Sequence, residues 1–534
     1  MPNRVRLFLA ATIFAVAGLS LPALGVTAPT AVAAPALDLL EFEVEGNTVL
    51  PVVAIERAVY PFLGPGRSMA ELEKARAALE AAYQDEGYLS VTVVIPEQKI
   101  SDGVVRLQVV EGSVEKLKVS GNRYTARSEI RAQTPALAPG EVPHFPSVQK
   151  ELSALSRTPD IRATPLLRPG RQPGKLEVEL AVEDELPLHG SVELNNKQSP
   201  YTSEHRLEAG IRYDNLFQKR HSLGLNYVVA PEKTDEVNVL VASYTLPVGA
   251  TRSLSLSWQH SNSNIAFAAD SVVVGKGDTL GLRLIQQLPT PAAAPTFFHS
   301  LALGFDAKNL KETRNPLGVG SNDTPLRYTP LMAQYTAGSF GNEGDILGNL
   351  HVVSGLRGFD REVDCGRGVL VDQFECRTAG ARSNFAILRG DLSYTRRVLG
   401  WEILLRVDGQ TSNQPLVSNE RFLAGGIDSV RGYLEGEAAG DYGWRLRAEF
   451  KTPSLFDGDM PSLRGVGFIE GASLRLHNPQ PGEAKEFLAS AGVGVRLRVG
   501  KGLNLHADWA RAQHDGPHTA QGDDRAHLRL GYQF

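Results

Sequence analysis

Phe487-Leu-Ala-Ser-Ala-Gly-Val-Gly-Val-Arg-Leu-Arg-Val499 alternates without a break. Phe487, Ala489, Ala491, Val493, Val495, Leu497 and Val499 fall on one face, and Leu488, Ser490, Gly492, Gly494, Arg496 and Arg498 on the other. A period of two marks an extended strand. Apolar groups on one face and small or charged groups on the other suit a sheet with lipid outside and water inside. Tyr442–Phe450 repeats the pattern, with Tyr442, Trp444, Leu446, Ala448 and Phe450 opposite Gly443, Arg445, Arg447 and Glu449. In Trp401–Asp408, Trp401, Ile403, Leu405 and Val407 oppose Glu402, Arg406 and Asp408, and Leu404 is the exception. Around His205–Tyr213, Glu208 and Arg212 oppose Leu207, Ala209, Ile211 and Tyr213.

A soluble sandwich also alternates, because each sheet buries one face against the other. Three features favour a membrane barrel. The alternation runs from about Pro187 to the C-terminus, longer than a usual sandwich. About sixteen segments fit there at roughly 22 residues per strand plus connection, close to what ~10-residue spanning strands need. Connections also alternate in length: Leu399-Gly400 and Gly500-Lys501-Gly502 are tight, whereas about 358–382 and 412–441 are long. Short turns on one side and long loops on the other are expected of an outer-membrane barrel. The last strand places Leu528, Leu530, Tyr532 and Phe534 on one face. With Tyr532 and Phe534 as its aromatic end, it is similar to the assembly signal of such barrels. Pairing it with the first strand would leave no exposed edge.

Upstream the pattern is different. Arg4 and Arg6 precede an apolar run from Leu7 to about Leu24, and Ala31-Val32-Ala33 offers small residues for cleavage. That layout predicts a secretory signal over 1–33. Leu39–Val44 then reads as a strand leading into Glu45-Gly46-Asn47. A helix is predicted over about Ser68–Glu86, with Leu72, Ala75, Leu79, Ala82 and Tyr83 at helical spacing, Ser68 and Glu71 as a capping box, and Gly87 at its end. Strands follow at Leu89–Ile95 and Gly103–Val110, around the turn Ser101-Asp102-Gly103. The order then partly repeats: a strand at Val114–Val119, the turn Ser120-Gly121-Asn122, a helical region over about Ser147–Leu155, and a strand at Lys175–Val182. Each unit resembles a polypeptide-transport-associated (POTRA) domain. The expected organisation is therefore mainly β: two small α/β POTRA modules at 37–112 and 113–185, then a 16-stranded antiparallel transmembrane barrel over 187–534.

Other classes find little support. The formal net charge is −5 and no long basic run occurs, so no nucleic-acid partner is expected. There is no Gly-x-x-x-x-Gly-Lys-Ser/Thr, His-Glu-x-x-His or Gly-x-Ser-x-Gly, and the histidines are scattered without ligand spacing. The chain is expected to be no enzyme and to carry no metal and no cofactor. Cys365 and Cys376 are too few for a disulfide scaffold or a zinc site; in an exported protein they are expected to bond and clip a surface loop.

The long loop between the eleventh and twelfth predicted strands carries Gly425-Gly-Ile-Asp-Ser-Val-Arg-Gly-Tyr433. Two tandem modules, a barrel, and Val430-Arg431-Gly432-Tyr433 in that loop together resemble the outer-membrane transporters of two-partner secretion. These are the haemolysin secretion/activation proteins (TpsB type, type Vb secretion), related to the barrel-assembly factor BamA. The resemblance implies that the loop folds back into the barrel, where Arg431 meets an acidic residue on the inner wall. The family's strand motif is Phe-x-Asp-x-Gly, and its counterpart here is Phe468-Ile469-Glu470-Gly471-Ala472, with Glu470 as the acid. A guanidinium can grip a carboxylate with two parallel donors, which lysine cannot. The resemblance also implies a secreted exoprotein partner, a haemolysin or an adhesin. A monomer is expected, embedded in outer-membrane lipid and inserted by the barrel-assembly machinery. Some family members carry an N-terminal helix that plugs the pore. Cleavage near Ala33 would leave no room for one, so the 412–441 loop is expected to close the resting pore. The rival readings are an outer-membrane assembly or insertion factor and, from another class, a passive porin, which needs neither modules nor the Arg431 loop.

Overall fold

A computed structural model describes residues 37–534 apart from 101, 157–159, 264, 269–270, 292–293, 295, 315–321, 366–369, 457–460 and 480–484. The signal expected over 1–33 and the turn residue Ser101 lie outside the described residues. The C-terminal part is a closed antiparallel barrel. Its strands are β1 (Leu188–Asn195), β2 (Arg206–Leu216), β3 (His221–Val229), β4 (Asn238–Pro247), β5 (Arg252–Ser261) and β6 (Lys276–Gln287). They continue as β7 (Phe297–Arg314), β8 (Leu331–Gly341), β9 (Gly344–Ser354), β10 (Ala386–Val398) and β11 (Trp401–Ser412). The last five are β12 (Tyr442–Lys451), β13 (Ser462–Arg475), β14 (Glu486–Val499), β15 (Leu503–Ala512) and β16 (Asp524–Gln533). A further segment, Asn322–Tyr328, pairs with the far end of β7, whose near end pairs with β8. Thr329-Pro330 separates it from β8, and a proline there cannot donate to a ladder. The barrel thus has the 16 strands predicted.

The alternation sets the two faces. Trp444, Leu446 and Phe450 of β12 point outward and are exposed, whereas Glu449 between them is buried. In β14, Val493, Val495 and Val499 are exposed and Leu488 is fully buried. A register slip of one residue would exchange these sets, so the pattern itself fixes the pairing.

Closure joins β1 to β16 from Arg529↔Asn195 to Gln533↔Ser191. Beyond the ladder, Gly190 and Phe534 exchange both backbone hydrogen bonds at 3.0 Å. The Phe534 ring covers Gly190, where an added Cβ would sit 2.3 Å from it. Phe534 therefore holds the end of the seam with backbone and ring together. Its deletion removes two hydrogen bonds of about 1 kcal/mol each and the ring contact, so the fraction that stays assembled on heating is expected to fall. Heat-modifiable gel mobility of the extracted barrel measures this; undiminished assembly would contradict it.

The two N-terminal turns do equivalent work. In the first module Glu41–Glu45 runs parallel to Val104–Glu111, which pairs antiparallel with Val91–Val94. Ser68 and Glu71 form the capping box of the helix Met69–Asp85, which packs Leu72, Leu79 and Tyr83 onto Val105 and Leu107. Gly46 has φ +86° and lies against Val109 O; Gly121 has φ +83° and lies against Val182 O. A Cβ at either glycine would come within 2.3 Å of that oxygen. The Glu111 carboxylate accepts from Thr48 N at 2.7 Å and Val49 N at 3.1 Å, and Asp184 accepts from Tyr124 N at 2.9 Å and Thr125 N at 2.7 Å. Ser113–Ser120, Lys175–Asp184 and Ile161–Pro169 form the second three-stranded sheet, with Arg127–Ala132 and Phe145–Leu155 as its longer helices.

Three elements escape sequence reasoning. The helix Val52–Val59 begins with β-branched residues after Pro51 and reads poorly as a helix. Ile161–Pro169 holds Pro165 and Pro169, which argue against a strand; it is tolerated because it lies at the edge of its sheet. Arg127–Ala132 is too short to show a period. By compactness the chain divides into residues up to 117 with 136–149 and 167–178, and 118–135 with 150–166 and 179–534, so the division runs through the second sheet.

Candidate functional site

The connection between β11 and β12 does not extend into solvent. Phe422–Ala424 pairs antiparallel with Ala438–Gly440, making a hairpin whose tip runs from Gly425 to Glu437. Its side chains meet the inward-facing residues of the barrel, so the hairpin occupies the lumen. Two glycines shape the tip. Gly426 has φ +104°, and a Cβ there would meet the Glu435 carboxylate at 2.0 Å; Gly432 has φ +93°, a left-handed conformation that other residues rarely adopt. Val430 and Tyr433, on either side of Arg431 and Gly432, are fully buried.

Arg431 is 1% exposed, and three carboxylates from three strands surround it. Glu470 of β13 takes Nε at 3.0 Å and Nη2 at 2.6 Å on one oxygen, and the Arg431 backbone N–H at 2.6 Å on the other. Glu449 of β12 takes Nη2 at 2.8 Å, and Asp508 of β15 takes Nη1 at 3.0 Å. The guanidinium lies 3.3 Å over the Phe468 ring centroid, a cation–π contact. Further cations complete the network: Arg447 on Glu470 at 2.8 Å, Arg496 on Asp508 at 2.6 Å, and Lys451 on Glu449 at 3.4 Å. The site thus holds buried charges that are each paired, the condition for tolerating them away from water. The alternating glycines of β14 make room for it. A Cβ at Gly492 would strike the Phe468 ring at 2.3 Å, and one at Gly494 would strike the Asp508 carboxylate at 1.9 Å.

Other contacts hold the hairpin. Gly432 N donates to His527 Nε2 of β16 at 2.9 Å. The Tyr433 hydroxyl lies 3.0 Å from Ala489 O and 2.7 Å from His514 O. Asp428 pairs with Arg529 of β16 and lies 3.5 Å from Lys197. On the opposite wall Glu420, 1% exposed, takes Lys308 of β7 at 2.5 Å, the Tyr328 hydroxyl at 2.7 Å and Arg389 of β10 at 3.4 Å. The loop therefore crosses the lumen, with an arginine on an acidic wall and a glutamate on a basic one. Sequence reasoning brought out Val430, Arg431, Gly432, Tyr433, Phe468 and Glu470, which the fold gathers in one place. It did not single out Glu420, Glu449, Asp508 or His527. Polar-face positions in alternating strands were the available signal for Glu449, Asp508 and His527. Glu420 has none, because it lies on an irregular loop.

Two cavities of about 450 and 710 Å³ share Ser191, Gly210, Asn226 and Gln533 in their walls, near the seam. The β2–β3 turn binds residues of the second module. Gln218 accepts from Ala126 N at 2.8 Å, and Arg220 donates to Gln133 Oε1 at 2.9 Å and Ala154 O at 2.7 Å. Phe217, Gln218 and Arg220 all have positive φ without being glycine, a local strain held by these contacts. Cys365 and Cys376 are bonded to each other in the β9–β10 loop, with Cα atoms 5.9 Å apart. Non-reducing peptide mapping is expected to recover them in one linked species; two free thiols would contradict that.

The chain thus combines N-terminal α/β modules, a closed barrel and a loop held in its lumen by buried ion pairs. The profile of the haemolysin secretion/activation proteins (ShlB/FhaC/HecB) matches residues 174–497, and that of the ShlB-type POTRA domain matches 37–112. The chain belongs to the haemolysin secretion/activation protein family of two-partner secretion. It is 24% identical to the outer membrane transporter CdiB of Dickeya dadantii over 88% of this chain and 82% of that one. It is 22% identical to the heme/hemopexin transporter protein HuxB of Haemophilus influenzae over 73% and 67%. Among solved structures, CdiB from Escherichia coli superposes with a TM-score of 0.66 at 20% identity, over 95% of this chain and 93% of that one. BamA from Haemophilus ducreyi gives 0.55 at 15% identity, over 94% and 100%. At these identities the structures establish a shared fold. The protein is thus a barrel of the outer membrane with POTRA modules on the periplasmic side, in a family that secretes partner proteins.

Proposed function

We propose that the protein captures one unfolded exported partner, a haemolysin or an adhesin, in the periplasm and passes it through the barrel to the surface. The two POTRA modules, at 37–112 and 113–185, present sheet edges beside helices. Such edges bind extended chains through backbone hydrogen bonds with little demand on sequence. The barrel, from 187 to 534, acts as a monomer in lipid after insertion by the assembly machinery. The hairpin closes the resting pore, and Arg431 holds it on the Glu470, Glu449 and Asp508 wall. That buried, fully paired arginine is the observation that carries the reading, because a passive porin has no use for it. The transport role requires no enzymatic step and no cofactor. With no nucleotide motif in the sequence, folding of the emerging partner supplies the drive.

The test is co-expression with any large exported protein that a neighbouring gene encodes. Release of that protein into the medium, dependent on this chain, is the expected result. Release that is equal without it, combined with loss of other barrels from the membrane, would instead identify an assembly factor.

A further inference from the structure

The sequence spacing of Asp160, His189 and Asp214 suggests no shared role, yet the fold brings their ligand atoms within 4.8 Å of one another. We propose that these three side chains bind one divalent transition-metal cation, with Zn²⁺ the best match, which straps the segment entering Ile161–Pro169 to β1 and β2.

Distances between the ligand atoms support this. His189 Nε2 lies 3.0 Å from Asp160 Oδ1 and 3.4 Å from Asp214 Oδ2. Two metal–ligand bonds of about 2.1 Å subtend roughly 3.0 Å at a right angle and roughly 3.4 Å at the tetrahedral angle. An imidazolium bridging the two acids would give similar separations, but Nε2 makes no hydrogen bond to either. Asp160 has a side chain 9% exposed, and its Oδ2 is buried with no hydrogen-bond partner among the described residues. A buried carboxylate oxygen left without a partner is costly, and a cation among the three groups would satisfy it.

The surroundings also fit. Asp160 O accepts from Glu185 N at 2.8 Å, and Pro187 O accepts from Asp214 N at 2.9 Å, so both aspartates sit on fixed backbone. Asp214 Oδ2, the oxygen that faces His189, also accepts from Arg212 Nε at 2.8 Å, and its Oδ1 accepts from the Ser222 hydroxyl at 2.5 Å. The carboxylate is thus held in a fixed orientation, the kind of support that metal-binding carboxylates use. Arg220, the other nearby cation, is directed at Gln133 and Ala154. A cavity of about 20 Å³ lined by Asp160, Asp214, Thr125 and Asn215 has room for one water to complete the coordination. One imidazole and two carboxylates suit Zn²⁺ or Mn²⁺ better than Ca²⁺, which takes oxygen ligands.

The test uses the full chain, extracted from outer membranes, stripped with EDTA and then equilibrated with Zn²⁺. One Zn²⁺ per chain should survive gel filtration, and amide exchange should slow together in residues 161–169 and 206–216. His189→Gln and Asp160→Asn should each weaken binding about tenfold or more, at unchanged heat-modifiable mobility. No retained zinc, or zinc retained equally by both variants, overturns the proposal. Because the exchange measurement on the unaltered protein does not depend on how the variants fold, zinc uptake without slowing at those two segments overturns it too.

Discussion

Arg431→Ala is expected to abolish release of the partner while leaving the barrel assembled. The substitution leaves Glu470, Glu449 and Asp508 facing one another, each having lost a buried bond to the guanidinium. Removing one member of a buried, hydrogen-bonded ion cluster costs about 3–5 kcal/mol. That is enough to dislodge a hairpin whose tip is seated by this side chain, by Gly432 on His527 and by the Tyr433 hydroxyl. Assembly survives because Arg447, Arg496 and Lys451 remain against the same acids and the strand ladders are untouched. Arg431→Lys should fall between, since it keeps the charge and loses the fork of donors. Release into the medium and heat-modifiable mobility are measured on the same cells. Normal release from a folded Arg431→Ala barrel would remove the latch from the account.

Glu420→Ala should have the second largest effect, and of a different kind. It frees the hairpin from the opposite wall and leaves Lys308, Arg389 and the Tyr328 hydroxyl without their shared acceptor. The cost is again about 3–5 kcal/mol, because the acceptor is buried and its partners are charged. With Arg431 still seated, the hairpin stays in the lumen but no longer spans it. Conductance of the purified barrel in a planar bilayer should therefore rise several-fold, with secretion retained in part. Unchanged conductance would mean that the segment around Glu420 does not obstruct the pore.

The barrel was legible because lipid and water impose a period of two on every spanning strand, as in Phe487–Val499. The repeated Gly-Asn turns were legible for a related reason: Gly46 and Gly121 each need a left-handed backbone beside a neighbouring carbonyl. What sequence reasoning could not supply was depth. Glu470 stood out through its strand motif, but Glu449 and Asp508 reach Arg431 only because β12, β13 and β15 curve around one lumen. Nor could it foresee why Glu470 serves in place of aspartate: its second oxygen also takes the Arg431 backbone N–H. The glycines of β14, on the small side of an amphipathic strand, vacate the space that Phe468 and Asp508 fill.

The most direct test of the central claim, that a polypeptide crosses this lumen, uses the two faces of β14. A photoreactive residue is placed at inward-facing Arg498 or at outward-facing Val495, and the partner is stalled in transit by a fused, rapidly folding domain. Adducts to the partner from position 498 and none from position 495 are predicted. Adducts from both positions alike, or none from 498 while the partner is stalled, would contradict passage through the barrel.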